Sequence, residues 1–142
     1  MDINLNLTIR NELAELALVK QQLNQLLQED IINREVWEDL WLISEEVLTN
    51  IIKYSYGAEK VGTIQVLIAG DREKLLLSFE DTGEAFNPLE TTIDPLLDEE
   101  IENRPIGGLG IFLVKQLADR LDYSYRDGKN ILTLEKSLPQ AR

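Results

Sequence analysis

Residues 2–9 alternate, with Ile3, Leu5, Leu7 and Ile9 on one side and Asn4, Asn6 and Thr8 on the other. That period predicts a half-buried strand. From about Asn11 to Glu29 the period changes. Leu13, Leu16, Leu23, Leu26 and Leu27 form a helical stripe among Glu, Lys and Gln, with Asn11 as the expected N-cap. Residues 33–57 predict a second helix, capped near Asn33 and stopped near Gly57. Val36, Leu40, Ile43 and Val47 share one face, and Trp37, Trp41, Leu48 and Ile52 carry the apolar surface round the cylinder, as in a central helix. Strands at 63–70 and 74–81 flank Gly70-Asp71-Arg72-Glu73, a hairpin signal. Residues 82–105 have no period and hold Pro88, Pro95, Pro105 and an acidic run at 98–102. So long a loop in a compact domain is a functional lid or disordered. A glycine cluster then opens a third helix at about 108–121, and residues 121–136 read as a last hairpin turning at Asp127-Gly128. Strands gathered in pairs point to an α+β two-layer sandwich rather than a doubly wound parallel sheet.

Composition narrows the chemistry. The 142 residues are 44% apolar, enough for one domain, taken as 1–142, with a real core. Neither cysteine nor histidine occurs. That removes disulfides, thiolate metal sites, cysteine nucleophiles and the commonest general base and zinc ligand. The net charge of −12 argues against nucleic acid as a partner. It leaves a phosphate ligand open, because a helix N-terminus and a Mg2+ ion bind phosphates without a basic surface. No stretch reaches the length of a membrane span, and the first residues carry no signal-peptide pattern, so a cytoplasmic protein is expected.

Three short stretches carry candidate chemistry. In "EEVLTNIIKY" (45–54), Glu46 and Asn50 are four apart and share one helix face. They are either a solvated helix edge or a pair in which the Asn50 amide oxygen holds Mg2+ and Glu46 acts as a base. In "FEDTGEAF" (79–86), a strand ends at Asp81, with Gly83 two residues on. That is an Asx turn, or a carboxylate placed to accept the adenine amine while Gly83 lets the purine lie against the backbone. In "RPIGGLGIFLVK" (104–115), Gly107, Gly108 and Gly110 precede and enter an apolar helix. They form a flexible entry, or a backbone cradle for phosphates at the positive end of the helix. Leu109, Leu113 and Leu117 would anchor that helix to the sheet.

These stretches, in this order, resemble the N, G1 and G2 boxes of the GHKL ATPase superfamily. Within it, the tail "YRDGKNILTLEK" and "RPIGGLGIFLVKQLAD" are similar to the anti-sigma factor serine/threonine kinases of bacterial partner-switching systems. The resemblance implies a GHKL-type two-layer sandwich, with a mixed, mostly antiparallel sheet covered on one face by about three helices and an ATP lid at about 84–107. It implies ATP and Mg2+ as cofactors. Glu46 would be the catalytic base and Asn50 the Mg2+ ligand. Asp81 and Gly83 would meet the adenine, and Gly107, Gly108, Leu109 and Gly110 would line the triphosphate. Thr133 would supply a hydroxyl near the adenine. Apart from the resemblance, the position of Arg104 in the lid lets it either reach a phosphate or pair with Glu100 or Glu102. Two positions depart from the pattern: Tyr54, where the group often has His, and Ala85, where many members have a second glycine.

The expected function is an ATP-dependent serine/threonine kinase that phosphorylates an anti-sigma-factor antagonist of the STAS type. The sigma factor or another regulatory target would be a second partner, and a homodimer is expected. The alternative is a nucleotide-dependent switch that sequesters its partner without turnover.

Overall fold

A computed structural model describes residues 3–57, 60–90 and 108–139. These form β1 (Ile3–Arg10), α1 (Leu16–Gln28), α2 (Arg34–Asn50), β2 (Thr63–Gly70), β3 (Lys74–Asp81), α3 (Gly108–Leu117), β4 (Arg120–Arg126) and β5 (Lys129–Ser137). The strands make one sheet in the order β1-β2-β3-β5-β4. Every pairing among them is antiparallel, so the described sheet contains no parallel pair of the kind a mixed sheet would have.

Alternation decides which face is buried. Ile64, Val66 and Ile68 on β2, Leu75, Leu77 and Phe79 on β3, and Leu132 and Leu134 on β5 point to one side. They join Val19 and Leu23 of α1, Leu40, Ile43, Val47 and Leu48 of α2, and Val114 of α3 in one core. The helices therefore lie on one face of the sheet. α2 is the most deeply placed of them, as its wide apolar surface requires.

Local chemistry sets the element ends. Asn33 caps α2, its Oδ1 accepting from the Val36 amide at 2.8 Å. Asn11 does not cap α1. Its Oδ1 accepts from Gly62 N at 3.0 Å and its Nδ2 donates to Lys60 O at 2.8 Å, which ties the end of β1 to the approach to β2. The chain instead enters α1 through a 3-10 turn at Leu13–Glu15. α3 ends at Leu117 rather than near 121, because Asp119 N already bonds Glu135 O at 2.9 Å and draws the chain into the sheet. The β4–β5 hairpin turns where the sequence placed it, with Asp127 and Gly128 both at positive φ (55° and 76°). Lys136 of β5 pairs with Asp39 of α2 at 3.1 Å and donates to Leu117 O at 2.8 Å, clamping strand to helices.

α2 does not stop at Asn50. It continues through a π turn over Ile51–Tyr56, closed by Gly57 N bonding Ile52 O at 3.2 Å. Such wide turns are rare and gather at functional sites. This one delivers the Tyr56 hydroxyl into the sheet. The hydroxyl donates to Thr63 O at 2.7 Å and accepts from Thr82 N at 3.0 Å, joining the end of α2 to the start of β2 and the end of β3. Tyr56→Phe leaves both backbone groups without this partner. We expect a loss of about 1–3 kcal/mol in urea unfolding; an unchanged midpoint would show that the hydroxyl ties nothing.

Candidate active site

Asp81 is the last residue of β3 and is only 2% exposed. Its Oδ1 accepts from Gly83 N at 2.9 Å and from Asn130 Nδ2 at 3.0 Å. Its Oδ2 is buried with no partner among the described residues. Burial raises the carboxyl pKa, against the opposing effect of the Asn130 and Gly83 hydrogen bonds. A desolvated acceptor with a vacant lone pair suits a ligand that brings an N–H donor.

Asn130 is the cross-strand partner of Asp81 in the β3–β5 register. Its Nδ2 also donates to Glu84 O at 2.8 Å, and its Oδ1 accepts from Phe86 N at 3.0 Å and from the Tyr123 hydroxyl. One buried amide thus holds the carboxylate and the following loop together. The sequence reading gave the hydroxyl position beside the adenine to Thr133, and the structure corrects this. Thr133 is three residues beyond Asn130, an odd step in a strand, and so lies on the opposite sheet face, beside Leu76 and Arg120. The signal was present in the alternation Asn130, Leu132, Leu134, which places a polar residue in phase with the core.

Glu46 and Asn50 stand one turn apart on α2. Asn50 is buried, and Glu46 Oε2 is buried with no partner among the described residues. Burial raises the Glu46 pKa. Asn50 and Lys53 act against it, and Glu45 adds to it. Asn50 and Asp81 line one cavity with Val47, Phe79, Phe86 and Pro88. That cavity encloses only about 10 Å3, the room of roughly one water. Phe86 covers it, stacked on Tyr54 with ring centroids 5.0 Å apart, and Pro88 is buried beside it. The segment after β3 therefore folds down over Asp81, and a purine needs it to move. On the other side, Glu46 borders an open groove of about 690 Å3 between α1 and α2, with Lys20, Trp41 and Lys53 on its walls.

The glycines take defined places. A Cβ on Gly83 would sit 2.4 Å from Ser55 O, so this glycine lets the loop press on the π turn, where Glu84 N also bonds Ser55 O at 2.7 Å. Gly110 lies directly against Glu46. Gly108 and Leu109 begin α3. Arg104 and Gly107 lie outside the described residues. Leu113 is exposed and does not anchor α3; Ile111 and Val114, three apart on one face, do so.

An oxygen ligand such as the Asn50 amide suits a hard divalent cation. Among the described residues no three acidic side chains converge on a metal site, so a cation there would draw its other ligands from a bound phosphate and water. No helix of the described residues is long and apolar enough to cross a membrane.

The raised Asp81 pKa has a consequence for stability. The folded state disfavours the ionised form, so this penalty is absent below the ordinary carboxylate value of about 3.9. It grows as pH rises towards the folded pKa. We expect Asp81→Asn to be more stable than the parent at neutral pH by about 1 kcal/mol, with the gap closing on acidification. Urea unfolding across that range checks it; a gap independent of pH would contradict it.

A serine-protein kinase RsbW of Listeria monocytogenes is 34% identical over 102 residues, 69% of this chain. The match spans 64% of that relative's length. A serine/threonine-protein kinase BtrW of Bordetella bronchiseptica is 29% identical over 111 residues, covering 75% of this chain and 78% of the relative. Among solved structures, that of the RsbU and RsbW domains of Rv1364c from Mycobacterium tuberculosis superposes on 99% of this chain and 34% of its own, with a TM-score of 0.67 at 17% identity. That likeness shows a shared fold. The family described as histidine kinase-like ATPase domain matches residues 9–136, from the end of β1 to the last strand. The chain belongs to the histidine kinase-like ATPase domain family.

Proposed function

We propose that this domain binds ATP with Mg2+ and transfers the γ-phosphoryl group to a serine or threonine of an antagonist protein, within a partner-switching system that controls a sigma factor or another regulatory target. The observation that carries the reading is the pair of buried carboxylate oxygens without partners among the described residues, Asp81 Oδ2 and Glu46 Oε2. The first suits the adenine amine. The second suits the proton of an attacking hydroxyl. The names of the Listeria and Bordetella relatives support the kinase assignment.

In the proposed reaction the acceptor oxygen forms a bond to the γ-phosphorus, the bond to the β–γ bridging oxygen breaks, and the hydroxyl proton passes to Glu46. Bound at Asn50, Mg2+ would offset the phosphate charge. The first turn of α3, with Gly108 and Gly110, would direct its unpaired amides at the phosphates. Gly83 and Leu109 would border the nucleotide, and Gly107 and Arg104 would complete its phosphate end. The open groove beside Glu46 gives the acceptor a route to the base. A homodimer is part of the same proposal.

The closed cavity favours a second reading. Nucleotide entry must lift Phe86 and Pro88, and that movement alone would change the surface a partner meets, as in a switch without turnover. One assay separates the two. Purified protein, labelled ATP with Mg2+ and candidate antagonist proteins should give label on an antagonist serine or threonine. Glu46→Gln should lower transfer by about 100-fold or more while nucleotide binding persists. Tight nucleotide binding with no transfer to any antagonist would overturn the kinase reading in favour of the switch.

A further inference from the structure

Gly110 is the third residue of α3, inside a regular helix, where glycine costs about 1 kcal/mol relative to alanine. Its backbone is not in the left-handed region, so no torsion there requires glycine. Contact does. A Cβ at this position would lie 2.0 Å from both Cδ and Oε1 of Glu46, and 2.6 Å from its Cγ. No real pair of heavy atoms tolerates such approach. The carboxylate can yield in one direction only, towards the open α1–α2 groove that it borders, because its Oε2 is shut away from solvent on the other side.

We infer that Gly110 is a positioning residue whose bare Cα forms the back wall of the seat that holds the Glu46 carboxylate. α2 supplies the carboxylate, and α3 supplies the missing side chain. Any larger residue at 110 drives the carboxylate off that wall towards the α1–α2 groove, where Lys20 and Lys53 stand. The helix that opens the phosphate end and the group proposed as base are then one steric unit. This inference rests on the proposed role of Glu46 for its effect on turnover, but the seat itself is a matter of packing.

The test is a double-mutant cycle with a kinetic arm. In the parent, Gly110→Ala should lower the urea midpoint. In a Glu46→Ala background the seat is empty, and the same substitution should leave the midpoint unchanged or raise it, because alanine favours helix. A Gly110→Ala protein that fails to fold, beside a double variant that folds, is the extreme of the expected coupling. Additive midpoints overturn the inference. In the kinetic arm, kcat of Gly110→Ala at saturating ATP and acceptor protein should fall about 100-fold. Glu46→Asp, one methylene shorter, should restore part of that kcat in the Gly110→Ala background. An unchanged kcat in Gly110→Ala overturns the catalytic consequence. If the parent transfers no phosphate, the proposed function fails, and the stability cycle still decides whether the seat exists.

Discussion

A carboxylate taken out of water at the end of a strand is the constraint on which the rest of the site depends. Asp81 is held by its cross-strand partner Asn130 and by Gly83 N, yet one oxygen has no donor among the described residues. A buried, half-satisfied charge costs stability, and a fold keeps one where a ligand completes it. Asn130 makes the arrangement cooperative. The same amide that orients Asp81 binds Glu84 and Phe86, so the position of the loop and the state of the carboxylate are linked.

α2 is the second organising element. Its apolar faces bury it against the sheet, and its polar positions Glu46 and Asn50 are carried inward with it. The π turn that follows widens the helix where it meets the loop after β3. Tyr56 then reaches both sheet strands, and Ser55 O receives Glu84 N. A regular α-helical ending would place these groups at a different rotation about the axis. The proposed nucleotide end and the proposed base end of the site therefore share one scaffold, and α3 meets that scaffold through the side chain that Gly110 lacks.

Much of this was legible in the sequence because the signals were local. Alternation placed β1, β2 and β3 within a residue or two. Asn33 and Gly57 marked the limits of the second helix, and Asp127-Gly128 marked the hairpin. Glu46, Asn50 and Asp81 were singled out from spacing and from resemblance, and the fold brings Asn50 and Asp81 to one cavity, with Glu46 one turn before Asn50 on α2. What escaped was set by tertiary contact. Asn11 has the composition of a cap, but the segment leading into β2 offered it two backbone partners. The π turn has no signature in its residues. Thr133 was assigned from resemblance, whereas strand phase decides which side chain faces Asp81, and that is Asn130. The glycines at 83 and 110 were read for their backbone freedom and the ligand's approach, and the structure ties both to close neighbours, Ser55 and Glu46.

The central claim is that an adenine nucleotide occupies the space now filled by Phe86 and Pro88 and donates its amine hydrogen to Asp81. A crystal structure grown with a non-hydrolysable ATP analogue and Mg2+ tests it directly. The expected result is a purine against Asp81 with the Phe86–Pro88 segment displaced and Asn50 at the cation. A nucleotide bound elsewhere, with Phe86 still stacked on Tyr54 over a closed cavity, would contradict it.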